Sequence, residues 1–126
     1  THVAVAFLEA LNQFEKEGGL ISRNKKYSNN LDALLTGMKS LGFKSLLAKK
    51  DQSPIIVTFI APESKKFNFK NFYQFLKNRG YIIYPGKMSK IDSFRIGCIG
   101  QINPNIIRKL VKVIEIFIVK NKININ

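Results

Sequence analysis

Apolar residues recur along this chain with two periods, and the switches between them mark out its elements. Over residues 3–17, Ala4, Phe7, Leu8, Leu11 and Phe14 follow helical spacing, with Glu9 and Lys16 on other faces. Gly18-Gly19 ends that helix, because glycine accepts the left-handed conformation a helix stop needs. A longer helix is predicted over 22–41, with Tyr27, Leu31, Leu34, Leu35, Met38 and Leu41 as its stripe and Gly42 as its stop. A short strand is predicted at 43–48. The segment 54–61, PIIVTFIA, is β-branched, aromatic and bounded by prolines, and its near-continuous apolar character predicts a central strand covered on both sides. Asn68 can cap a helix over 69–78 that turns Phe69, Phe72, Tyr73 and Leu76 inward, with Gly80 as its stop. Strands at 81–84 and 94–99 pair across a Pro-Gly turn and a polar loop. Asn103 as cap and Pro104 in the first turn open a last helix, whose wide apolar face includes Ile107, Leu110, Ile114 and Phe117. The tail NKININ is expected to fray.

This order implies an α+β fold over residues 1–126: a small, mainly antiparallel sheet of three to four strands with helices packed on one face. The sheet's other face then needs solvent, a ligand or another domain to cover it. Alternation along 94–99 sends Phe94, Ile96 and Cys98 to one face and Arg95, Gly97 and Ile99 to the other. A guanidinium on a mostly apolar strand is costly to bury unless an anion meets it. Gly97, two residues on and facing the same way, removes a side chain that would crowd a ligand. Arg95 is therefore the leading functional candidate; the plainer reading is a structural arginine paired with a nearby carboxylate.

Composition narrows this picture. The net charge of +13 admits nucleic acid or an anionic membrane surface as partner. Yet the basic pairs Lys25-Lys26, Lys49-Lys50 and Lys65-Lys66 are scattered, and no basic helix is visible. The one cysteine, Cys98, excludes an intramolecular disulfide, suits a reducing, cytoplasmic setting, and falls on the core side of its strand as an inert thiol. With His2 as the only histidine, no histidine metal cluster or catalytic triad can be assembled. No signal peptide is visible. The longest apolar run is broken by Lys112 and Glu115 and is too short to span a bilayer. A start at THVAVAFLEAL, without methionine, reads as a segment from inside a longer protein.

Five segments together are similar to a known family: THVAVAF, EGGLISRNKKYSNN, QSPIIVTFIAPE, FYQFLKNRGYIIYPGK and SFRIGCIG. In register over nearly the whole chain, they resemble the C-terminal small domain of 2-aminoethylphosphonate–pyruvate transaminases. These are class V, fold type I aminotransferases that use pyridoxal 5′-phosphate. The resemblance implies transfer of an amino group from 2-aminoethylphosphonate to pyruvate, giving phosphonoacetaldehyde and L-alanine, with the cofactor carrying the chemistry. It also implies that Arg95, in the FRIG strand, recognises the anionic end of each substrate, since a planar guanidinium suits a carboxylate or phosphonate oxygen pair. Thr1 and Gly97 match positions near cofactor or substrate, and Arg23, Tyr27, Gln52 and Lys87 match the family pattern with packing or anchoring as the alternative. The Schiff-base lysine, the acid facing the pyridine nitrogen and the stacking aromatic ring are implied to lie in a large domain absent from this sequence. No catalytic and no metal-ligating residue is expected here. The isolated chain is expected to be inactive, and the full-length enzyme to be a homodimer. Rival readings are another class V small domain, a basic nucleic-acid-binding module, and a purely structural relic.

Overall fold

A computed structural model of the chain describes residues 1–86 and 90–125. Helix α1 (His2–Lys16) is followed almost at once by α2 (Gly19–Ser40), with Gly18 at φ 96° forming the corner. Strand β1 (Ile56–Ile60), helix α3 (Phe69–Lys77), strands β2 (Tyr84–Pro85) and β3 (Ser93–Gly97), and helix α4 (Pro104–Lys120) complete the order. The helix ends follow the predicted chemistry. The Asn68 side chain accepts from Asn71 N at 3.1 Å, and Asn103 accepts from Asn105 N and Ile106 N at 3.0 and 3.1 Å. Gly42, at φ 94°, lets the Phe43 amide donate back to Met38 O at 3.0 Å, closing α2 as a Schellman turn.

The sheet is antiparallel in the order β1-β3-β2. This corrects the expectation for 54–61: β3 is the central strand, and β1 buries one face only. Val57 and Phe59 are buried, while Ile56, Thr58 and Ile60 stay half-buried on the outer face. The apolar run therefore reflects an uncovered apolar face rather than cover on both sides. The predicted strand at 43–48 is reduced to a bridge between Ser45 and Phe59, flanked by bonds from Leu46 N to Thr58 O and from Ile60 N to Lys44 O. Ser45 Oγ turns to donate to Leu47 O at 2.8 Å, and Lys49–Asp51 forms a 3₁₀ turn, so pairing cannot extend. The β2–β3 hairpin forms, but of the strand expected at 81–84 only Tyr84 pairs, with β2 reduced to Tyr84–Pro85. The loop residues Lys87, Met88 and Ser89 lie outside the described residues.

Helices α2, α3 and α4 cover the inner face of the sheet. Phe94 is wholly buried at its centre, edge-on to Phe43 at 5.6 Å, stacked with Phe59 at 5.7 Å and against Phe72 at 5.2 Å. Leu34, Met38, Leu76, Ile107 and Ile114 close the core around these rings. Burying such side chains contributes on the order of 2 kcal/mol each, and packing fixes their arrangement. Helix α1 forms where its periodicity predicts but buries no residue. It packs on α2, and its stripe residues Phe7 and Leu8 remain 64% and 59% exposed.

Candidate functional site

Strand alternation puts Phe94, Ile96 and Cys98 in the core, as the pattern requires, and leaves Arg95 on the outer face with Gly97. Register then adds what the sequence did not show. Thr58 of β1 lies directly opposite Arg95 on one side, and Tyr84 of β2 lies directly opposite it on the other. The Arg95 Nε donates to Pro85 O at 3.1 Å, which steers the guanidinium along β2. Among the described residues no carboxylate lies within ion-pair distance of Arg95, so the plainer reading of a structural ion pair finds no partner there.

Gly97 lines an apolar groove of about 570 Å³ together with Ile56, Tyr84, Ile99, Ile106 and Leu110. A Cβ built at Gly97 would meet only Ile55 O, at 3.9 Å, an ordinary contact. The fold itself does not demand glycine here, so what the missing side chain provides is room in the groove. Thr1 is exposed at the N-cap of α1, and no hydrogen bond or pocket among the described residues brings it to Arg95.

Of the other matched positions, Arg23 and Gln52 serve the scaffold. Arg23 donates through Nε and Nη2 to Glu17 Oε2 at 3.2 and 2.9 Å and lies over the Phe14 ring at 4.8 Å, locking α1 to α2. That guanidinium holds the Glu17 carboxyl below its ordinary range. Gln52 Nε2 donates to Ser53 O and Ile56 O, pinning the loop that enters β1. Tyr27 lines a second apolar groove of about 670 Å³ with Leu20, Ile21, Pro54, Ile55 and Ile99. Lys87 lies outside the described residues.

Asn30 was not anticipated as a site. Its residue is fully buried, and its Nδ2 donates to Cys98 O at 2.9 Å and Ile102 O at 3.3 Å, tying the β3–α4 connection to α2. Its Oδ1 has no partner among the described residues. A signal existed, since Asn30 falls on the α2 stripe between Tyr27 and Leu34. Burial pushes the Cys98 thiol up from 9.0 to about 11, in keeping with an inert side chain.

A pyridoxal cofactor needs a lysine for its Schiff base inside a shaped cavity. The described lysines do not fit that role. All are exposed except the half-buried Lys26, which reaches Gln101 Oε1 at 3.5 Å. Lys49 meets Asp32 at 2.8 Å, but both side chains are largely in solvent. Among the described residues no group of His, Cys, Asp and Glu could hold a metal ion, and no helix is long and apolar enough to cross a membrane.

An antiparallel sheet under helices, as seen here, recurs within a solved aminotransferase. Aspartate aminotransferase of subgroup IV from Thermus thermophilus superposes with a TM-score of 0.56 at 19% identity, over 81% of this chain and 29% of that one. By sequence the relationship is more particular: the chain is homologous to part of the 2-aminoethylphosphonate–pyruvate transaminases. It is 52% identical over 111 residues to that enzyme of Rhizobium meliloti, and 50% identical over 112 residues to transaminase 1 of Paraburkholderia xenovorans. These matches take in 88% and 89% of this chain, which spans 29% of the length of either relative. No family model matches the chain.

Proposed function

We propose that this chain serves as the small domain of a transaminase that moves the amino group of 2-aminoethylphosphonate to pyruvate, and that Arg95 grips the anionic end of each substrate. The observation that carries this reading is the identity of about half of all aligned residues to enzymes of that name over nearly the whole chain. Arg95 supports it physically. Its guanidinium is held at one nitrogen by Pro85 O, with its remaining donors directed to no carboxylate among the described residues. Two parallel N–H groups suit either a carboxylate or two oxygens of a phosphonate, so one arginine can serve both half-reactions in turn.

When bound, pyridoxal 5′-phosphate supplies the electron sink and carries the amine. Since the lysines described here do not fit it, the cofactor and its Schiff-base lysine belong in this reading to a large domain corresponding to the remaining length of the relatives. The exposed apolar face of α1 is consistent with such a companion, as a surface of that kind is unusual on a solitary domain. The complete enzyme acts in this reading as a homodimer.

The test is a graft. The chain replaces the matching 111 residues of the Rhizobium meliloti enzyme, and alanine formation from 2-aminoethylphosphonate and pyruvate is followed. Activity in the graft, with a loss of at least about a hundredfold in kcat/KM for Arg95→Lys and unchanged cofactor absorbance, supports the reading. A graft that binds cofactor and turns over equally well with Arg95→Lys overturns the role of Arg95. A folded, cofactor-loaded graft with no turnover overturns the assignment of the domain.

A further inference from the structure

Three polar side chains cross the open face of the sheet in one row. Thr58 and Tyr84 are both register partners of Arg95, from opposite sides. Directly opposed residues on antiparallel strands keep their Cβ atoms about 5 Å apart and point to the same face. Both hydroxyls thus stand within side-chain reach of whatever the guanidinium holds. Neither makes a hydrogen bond to the described residues, and Tyr84 is 50% exposed although Ile83 beside it is buried.

We propose that Thr58, Arg95 and Tyr84 form a single oxyanion-binding row, in which the two hydroxyls select a three-oxygen phosphonate over a planar carboxylate. Resting as it does on the anion-gripping role of Arg95, the row adds the source of discrimination. A guanidinium fork places two donors in one plane, which satisfies the two oxygens of a carboxylate. A tetrahedral phosphonate presents a third oxygen outside that plane, and an arginine whose Nε already donates to Pro85 O cannot follow it there. Donors flanking the fork can. Thr58 offers a short hydroxyl from β1, and Tyr84 a long, stiff one from β2. Of the row, Tyr84 alone also lines the apolar groove that holds Gly97 and Ile56, so the groove meets the row at its β2 end.

The experiment titrates the chain with methylphosphonate and, separately, acetate, following backbone amide shifts of the three strands by NMR. The expected result is tighter binding of methylphosphonate. Thr58→Val and Tyr84→Phe should each weaken methylphosphonate roughly tenfold while leaving acetate within about twofold, and Arg95→Lys should weaken both anions. Far-UV circular dichroism checks that these surface variants fold alike. If Arg95→Lys weakens both anions but the hydroxyl variants change neither, or change both equally, the row is overturned and the arginine's role survives. If wild type shows no saturable shift with either anion, or Arg95→Lys has no effect, the row and the arginine's role fall together.

Discussion

Replacing Asn30 tests how the β3–α4 connection is held on α2. In Asn30→Ala two carbonyls, Cys98 O at 2.9 Å and Ile102 O at 3.3 Å, lose their side-chain donor inside the protein. An unmet buried acceptor costs about 1–3 kcal/mol, with the longer bond toward the lower end. Against this, the unpartnered Oδ1 disappears with the side chain, returning on the order of 1 kcal/mol. The remaining balance is a destabilisation of about 1–3 kcal/mol, read as a lower midpoint in urea at unchanged slope.

Asn30→Asp sharpens the test, because it keeps the shape and reverses the chemistry. An ionised carboxylate is acceptor-only and would face two carbonyls, whereas the protonated acid can donate to one of them. The folded pKa is therefore raised above the ordinary value of about 3.9. By linkage, stability is fully present below the unfolded pKa and is lost as pH rises through the folded one. Measured against wild type at each pH, the Asp variant should be closest to it near pH 4 and poorest near pH 7. An Asn30→Ala cost under about 0.5 kcal/mol, or a pH-independent Asp variant, would refute the proposed clamp, because neither carbonyl would then depend on the amide.

Three further outcomes follow from the same contacts. Phe94→Ala should cost about 3–5 kcal/mol by urea unfolding, since the ring is wholly buried among Phe43, Phe59 and Phe72. Cys98 should resist iodoacetamide at pH 8 until urea unfolds the chain. Its raised pKa, from 9.0 to about 11, should also remove roughly 3 kcal/mol of stability as pH climbs through that window, a loss that Cys98→Ala would lack. Gly97→Ala should leave the urea midpoint nearly unchanged, since its Cβ meets only Ile55 O at 3.9 Å, while weakening methylphosphonate binding by narrowing the groove.

Local signals were legible and pairings were not. The caps at Asn68 and Asn103 and the inward side of 94–99 follow from residue chemistry and alternation, and both hold. What failed was information about neighbours. An apolar run such as IVTFI looks the same whether its outer face meets another layer or stands open, so the central strand was misplaced. The stripe of α1 predicted a helix correctly, but periodicity cannot say whether anything covers it. The proposed site was half legible for the same reason. Arg95 stands out within its own strand, whereas Thr58 and Tyr84 join it only through a register set across distant parts of the sequence.

An unpaired arginine says little by itself in a chain with 21 cationic and 8 acidic side chains, because most cations must go without an acid. Position separates Arg95 from the others. Arg23 is forked onto Glu17 and lies over Phe14, Arg79 stacks 3.6 Å above Phe75 and donates to its carbonyl, and Arg108 donates to Asn105 on its own helix. Each of these is accounted for by a neighbour within a few residues in sequence. Arg95 instead occupies the middle strand of the sheet, where its inward neighbours Phe94 and Ile96 are locked in the core and the backbone cannot shift without disturbing them. A charge mounted so rigidly loses little freedom when it meets an anion, which is the condition for tight recognition by few contacts. A solvated arginine with no ligand would gain nothing from that mounting, and exchange for glutamine would then leave anion binding and turnover alike untouched.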